Sequence, residues 1–207
     1  VQANGESKNM KKLLIATKNP GKFAEIVEVL DGLGLELLFL GDLEVEDSDF
    51  VEDGETFEEN AYKKAAFYAE ALGMPALGED SGLLVDALPG ELGVYTRRWG
   101  AGEKAGDKEW MDYFMQRMEG EEKRGAQFVC NACLVGGGSD RRHFEGATRG
   151  VITERVEGPL IKGIPLSAVF VAEGQEKVYS ALSAEEKNQV SHRGKSMMKL
   201  RDFLADQ

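Results

Sequence analysis

Cysteine and histidine are almost missing from this chain, whose 207 residues hold two of each. Two cysteines exclude a disulfide-built secreted scaffold, and a reducing compartment, the cytoplasm, is the expectation. Cys130 and Cys133 have metal-knuckle spacing, but no second pair follows and the segment reads as a strand, so structural thiols are expected. Neither His143 nor His192 has a motif-like context, which leaves no Ser/His/Asp nucleophile set. No apolar run approaches the roughly 20 residues of a membrane span. Residues 1–9 are polar, without the apolar centre of a signal peptide, and read as a loose tail ahead of one domain over 10–207. Basic residues are outnumbered, 25 against 37 acidic, for a net charge of −12. That balance argues against a general nucleic-acid partner. A small phosphorylated ligand remains open, because screening over about 8 Å lets lysines lining a pocket outweigh distant carboxylates.

What is present is an alternation of strand-like and helix-like segments without a composition break, which predicts a single mixed α/β domain, in two lobes around a central mixed sheet. The apolar run Leu13–Ala16 ends in a polar turn holding Thr17, Lys18, Asn19, Pro20, Gly21 and Lys22. A helical pattern follows, with Phe23, Ile26, Val27 and Leu30 on one face. Free N–H groups and the positive helix end at such a junction suit phosphate, and a lysine adds a full charge. A plain connection with a solvated Lys22 fits the same residues. Glu36–Leu40 reads as a second strand and 42–55 as an acidic loop. Thr56-Phe57-Glu58-Glu59 resembles a capping box opening a helix to about Leu72. Residues 76–85 read as a strand that breaks into a polar turn at Glu79-Asp80-Ser81-Gly82. A helix over about 108–118 follows, then a hairpin of 126–135 and 142–148 turning at 136–140. Further strands are predicted at 151–156 and 169–172. Ser183-Ala184-Glu185-Glu186 is a second capping-box pattern, and Ser191 precedes a closing amphipathic helix.

Two sets of residues carry candidate chemistry. Glu79 and Asp80 are adjacent in a strand-like segment, so one side chain can face a metal while the other supports it. Glu52 lies in a separate acidic loop. Such oxygen donors suit Mg²⁺, although 37 acidic residues also pair by chance. The basic set is Lys22, Lys63 or Lys64, Lys187, His192 and Arg193. Lys64 shares a helical stripe with Phe57 and Ala61 and tends inward, with snorkelling to the surface as the alternative. His192 is either a ligand contact or a surface cap residue. Gly194-Lys195-Ser196 is no P-loop, since Gln189 stands where the first glycine is required.

The ordered motifs resemble the Ham1/inosine triphosphate pyrophosphatase family, and the resemblance covers nearly the whole chain after Asn9. Its segments are Thr17–Lys22 with Glu25; Glu52–Ala61 with Lys64-Ala65; Glu79-Asp80-Ser81-Gly82-Leu83; Gly93–Thr96 with Arg98; and Glu186-Lys187-Asn188 with Ser191-His192-Arg193-Gly194. The resemblance implies Mg²⁺-dependent hydrolysis of non-canonical purine nucleoside triphosphates (ITP, dITP, XTP) to monophosphate and pyrophosphate, by a homodimer. It implies Asp80 as general base and metal ligand, with Glu79 and Glu52 assisting the metal. Lys22 and Lys64 would serve the chemistry and, with Thr17 to Gly21, hold the triphosphate. Ser81 and Gly82 would contact substrate, and Lys187, His192 and Arg193 the purine.

One segment departs from the family pattern. Where members carry Gly-Phe-Gly-aromatic-Asp-Pro-Ile-Phe along the base pocket, this chain has Gly163-Ile164-Pro165-Leu166-Ser167-Ala168-Val169-Phe170. Base–aromatic stacking is worth roughly 1–3 kcal/mol. Ile164 and Ser167 therefore imply either compensation by a neighbour such as Trp99 or a changed base preference. A non-catalytic nucleotide-binding protein is the rival of another class.

Overall fold

In a computed structural model of the chain, the described residues are 10–45, 50–102, 104–136 and 139–206, with 139 and 140 described by backbone alone. The tail at 1–9, residues 46–49 of the acidic loop and residues 137–138 of the hairpin turn lie outside them. One six-stranded mixed sheet organises the described residues: β1 (Lys12–Ile15), β2 (Glu36–Phe39), β3 (Ala76–Val85), β4 (Gly125–Gly136), β5 (Ser139–Ile152) and β6 (Phe170–Ala172), in spatial order β2-β1-β3-β4-β5-β6. β1 lies parallel to β2 and β3, and every other pairing is antiparallel. The five α-helices are α1 (Pro20–Leu30), α2 (Phe57–Leu72), α3 (Asp107–Arg117), α4 (Ala184–Val190) and α5 (His192–Ala205). The expected mixed α/β domain is the fold observed.

Local chemistry sets the helix boundaries. Asn19 caps α1 with its Oδ1, and Pro20 takes the first helical position, where no N–H is needed. Thr56 caps α2 through Glu59 N–H, and Gly73 closes it in a left-handed conformation. The box at Thr56 is not the reciprocal one expected, because Glu59 reaches back to Glu55 N–H instead of Thr56. At Ser183 both halves of the box form.

β3 does not break at Glu79–Gly82. It pairs with β4 at all ten positions, from Ala76↔Val135 to Val85↔Ala126. The two glycines are there for close approach and not for a turn. A Cβ at Gly78 would come within 2.1 Å of Ala61 O on α2, and one at Gly82 within 2.2 Å of Gly93 O. The strand predicted at 151–156 is also corrected: only Val151 and Ile152 are extended, as the end of β5, and they pair with β6.

The sheet is covered on both faces. Leu13, Ile15, Leu77 and Leu134 pack under α1 and α5 with Ile26, Met197 and Leu200. Leu14, Ala16 and Ala76 pack toward Tyr68 of α2. A third core, around Trp110, Phe114, Phe128, Phe170 and Tyr179, fills the far end. β1 pairs with β3 only at Ala76 and Leu77, so beyond β1 the strand β3 is paired on its β4 side only. The cleft opens at that carboxyl end, the usual ligand position in an open α/β sheet.

Candidate active site

A cavity of about 450 Å³ occupies the cleft. Its walls come from residues 16–19, the first turns of α1, α2, the middle of β3, residues 94–98, Trp110 of α3, Phe128 of β4, residues 163–167, Tyr179, and the junction of α4 with α5. Among these lining residues seven are basic (Lys18, Lys22, Lys64, Arg97, Arg98, Lys187, Arg193) and three acidic (Glu25, Glu52, Asp80). A chain of net charge −12 thus carries a locally positive cleft, which selects for an anion.

Strand alternation divides β3 between two jobs. Glu79 and Ser81 face α1 and α5. Lys22 Nζ lies 2.8 Å from Glu79 Oε2, and Arg193 Nε and Nη2 lie 3.2 and 3.0 Å from Oε1. Arg193 Nη2 also donates to Ser81 Oγ at 2.9 Å. The network continues outward, with Glu25 bridging Arg193 and Lys187. Burial opposes the Glu79 anion, yet Arg193 and Lys22 hold its carboxyl well below the usual range. Burial likewise opposes the charge on Lys22, but Glu79 beside it raises the ammonium pKa overall.

Asp80 points the other way, toward α2. Its Oδ2 accepts from Asn60 Nδ2 at 3.0 Å and its Oδ1 from Ser81 N–H at 2.9 Å. Burial pushes its pKa up, with Lys22 and Lys64 only partly offsetting that. Lys64 Nζ sits 2.6 Å from Glu52 Oε1 and 3.1 Å from Glu79 O. Lys63 is exposed and pairs with Asp53, so Lys64 is the inward lysine of the two.

Several expectations need adjustment. Glu52, Glu79 and Asp80 do not converge as three ligands, and among the described residues no three acidic, His or Cys side chains do. Glu79 is engaged by cations on the opposite face of β3, while Glu52 and Asp80 line the cavity. Two carboxylates still fit Mg²⁺, which leaves most of its shell to water and phosphate. Asp80, buried with neutral hydrogen bonds and a raised pKa, is a hard donor that a cation would suit.

The first N–H groups of α1 are not free for phosphate. Asn19 Oδ1 accepts from both Gly21 and Lys22 N–H, at 2.9 and 3.1 Å. Pro20 and Gly21 are absent from the lining, whereas Thr17, Lys18, Asn19 and Lys22 belong to it. What this junction offers the cavity is therefore side chains and not free helix N–H groups. Ser81, Gly82, Ile164, Ser167, Lys187, His192 and Arg193 also line the cavity. His192 is buried against Phe128, with ring centroids 4.5 Å apart and planes at 9°. Burial, then Arg193, depresses its pKa well below the usual value, so it is neutral.

Sequence reasoning missed Asn60, Trp110, Phe128 and Tyr179. Asn60 stands four residues before Lys64 on one helix face, a spacing that could have revealed it. The aromatics carry ordinary core patterning and gave no signal. Trp99, the expected compensating ring, packs on Trp110 and Tyr113 and is not in the lining. Cys130 and Cys133 are free, buried thiols, the latter's pKa pushed up to about 11 by burial, as structural cysteines require.

Residues 13–203 match the model of the Ham1 family. A dITP/XTP pyrophosphatase of Geobacter sulfurreducens is 41% identical over 94% of this chain and 97% of its own length. One from Aquifex aeolicus is 42% identical over 91% and 94%. Among solved structures, a HAM1 protein from Coxiella burnetii superposes with a TM-score of 0.80 at 30% identity, covering 96% of this chain and all of the other. The Ham1 protein of Staphylococcus aureus gives 0.76 at 32%, covering 95% and 99%.

Proposed function

Because the chain belongs to the Ham1 family, we propose that it hydrolyses non-canonical purine nucleoside triphosphates (ITP, dITP, XTP) to the monophosphate and pyrophosphate. The observation that carries the reading is the placement of Asp80: a buried carboxylate of raised pKa in the wall of a cleft whose charged lining is mostly basic. A carboxylate with a raised pKa is a better proton acceptor than an ordinary one. Asp80 takes the proton from the attacking water, at its Oδ, while Asn60 fixes the carboxylate plane. Lys22 and Lys64 hold the phosphates and stabilise charge on the departing pyrophosphate. Both are already positioned by carboxylates, Glu79 and Glu52, so little reorganisation is needed when substrate arrives.

Mg²⁺ is the proposed cofactor, held by Asp80 and Glu52 and otherwise by phosphate and water. When bound, it would supply charge neutralisation on the phosphates and make the attacking water more acidic. Glu79, its oxygens taken by Lys22 and Arg193, supports the site as a counterion. At the other end, Lys187, His192 and Arg193 read the base, with Ser81 tying Arg193 to β3. We place the enzyme in the cytoplasm as a homodimer, the first supported by its free thiols and the second by the family resemblance.

A second reading, altered base preference within the same chemistry, is favoured by the aliphatic stretch Ile164-Pro165-Leu166 in the lining. A panel of nucleoside triphosphates with and without Mg²⁺, run on the wild type and Asp80→Asn, tests both. The proposal expects pyrophosphate from ITP and XTP only with Mg²⁺, and at least about a hundredfold loss of kcat in the folded variant, the scale of a lost general base. Undiminished turnover in Asp80→Asn would remove Asp80 from the mechanism. Preference for a pyrimidine triphosphate would establish the second reading.

A further inference from the structure

We infer that Trp110 is a specificity-determining residue of this chain, its indole N–H donating to a carbonyl acceptor on the base of the bound nucleotide. The inference rests on the nucleotide reading above and names which feature of the base is selected. Trp110 sits one turn into α3, is 2% exposed, and lines the cavity. Its Nε1 is buried without a hydrogen-bond partner among the described residues. Indole N–H is a donor only, and an unmade buried hydrogen bond carries a desolvation penalty that a ligand acceptor would remove.

Packing fixes where that donor stands. The ring lies nearly parallel to Phe114, with centroids 5.4 Å apart, and Trp99 meets it edge-on at 6.2 Å. Asp107, in the first turn of α3, accepts from Gly163 N–H at 2.6 Å, clamping the helix to the 163–167 wall. Trp110 and Leu166 share one core cluster. Ile164, Pro165 and Leu166 offer neither an aromatic ring nor a side-chain donor, and Ser167 Oγ donates to Ile164 O at 2.7 Å. Tyr179 Oη and His192 Nδ1 of the same lining are likewise unpartnered among the described residues, and of the lining side chains on α3 and this segment the indole N–H is the polar group in that condition.

A donor-only group discriminates by chemistry. At position 6 an oxo purine presents a carbonyl acceptor, an amino purine a donor and an unsubstituted purine neither; it is there, and not at N3 or N7, acceptors in all three, that an indole N–H discriminates. Leaving a buried donor unpaired costs about tenfold to hundredfold in affinity. The site would thus favour oxo bases over amino bases through Trp110, independently of how its cations hold the phosphates.

The test uses calorimetric binding of two ligands that cannot be hydrolysed to pyrophosphate, inosine monophosphate and purine riboside monophosphate. The wild type should bind the inosine compound about tenfold or more tightly. Trp110→Phe should cut that preference about fivefold or more, the remainder being what Lys187, His192 and Arg193 set, while leaving the affinity for the analogue within about twofold. Replacing Trp110 by 3-benzothienylalanine, which keeps the bicyclic shape and lacks the N–H, should do the same and guards against a packing defect in the Phe variant. Equal binding of both ligands by the wild type, or an undiminished preference in the benzothienyl variant, would overturn the inference. If those preferences behave as expected while no triphosphate yields pyrophosphate, the hydrolase reading fails and the assignment of Trp110 stands.

Discussion

Glu79 shows most clearly what a single side chain does here. It is 2% exposed, and its carboxylate pairs with both Lys22 and Arg193, two cations that line the cleft, with Glu25 as the second counterion of Arg193. Removing one member of a buried ion network leaves uncompensated charge, at a cost of about 3–5 kcal/mol. Glu79→Gln should therefore lower unfolding free energy in urea by about that amount at pH 7. Its pH dependence follows from the depressed folded-state pKa. Such a group contributes stability that is fully present above its unfolded value of 4.5 and is lost as pH falls through its lower folded value. The gap between wild type and Glu79→Gln should hold from pH 7 to about 5 and close on further acidification. A gap that instead widened in acid would mean that Glu79 is not the buried anion of this network. The sequence made the residue legible as part of an acidic pair. It did not tell which of the pair faces cations, because that depends on which face of β3 meets α5, a long-range fact.

At the scale of elements, the site depends on how closely β3 and α2 approach. Ala61 and Ala65 on the helix and Gly78 on the strand let their backbones meet. The same pair of elements brings Asp80, Asn60 and Lys64 together. Gly78→Ala would drive a methyl group into Ala61 O and Ala65 N. Overpacking costs about 1–3 kcal/mol, and the rigid backbone neighbours place this substitution at the upper end. Thermal denaturation should show that loss, and kcat should fall further than nucleotide affinity, since Asp80 is displaced relative to Lys64. Wild-type stability and kcat in Gly78→Ala would contradict the close approach. Element boundaries set by local chemistry, such as Asn19-Pro20 and the Ser183 box, were legible in the sequence. In sequence the run Glu79–Gly82 reads as a turn because its residue types favour turns. Ten consecutive pairs to β4 override that preference, and the polar side chains find their partners in helices distant in sequence.

Over the whole molecule, charge and shape are partitioned. The acidic surface surrounds a cleft whose charged lining is mainly basic, and the cleft runs from a charged end at Lys22, Lys64 and Asp80 to an aromatic and aliphatic end at Trp110, Phe128 and Ile164. A ligand with a polyanionic tail and a flat, nearly neutral head matches both ends. No described helix is long and apolar enough to cross a membrane. The phosphate end was legible because its residues fall in short ordered motifs. The aromatic end was legible only in part: Ile164, Ser167 and His192 fall in motif segments, whereas Trp110, Phe128 and Tyr179 come from three separate elements and look like core residues until folding brings them to one lining. In the proposed reaction water attacks the α-phosphorus and pyrophosphate leaves. Turnover of ITP with Mg²⁺ in ¹⁸O-water, with products read by mass spectrometry, tests it most directly. The account predicts inosine monophosphate carrying one ¹⁸O and unlabelled pyrophosphate in equal amounts; inosine diphosphate with labelled phosphate, or label in the pyrophosphate, would contradict it.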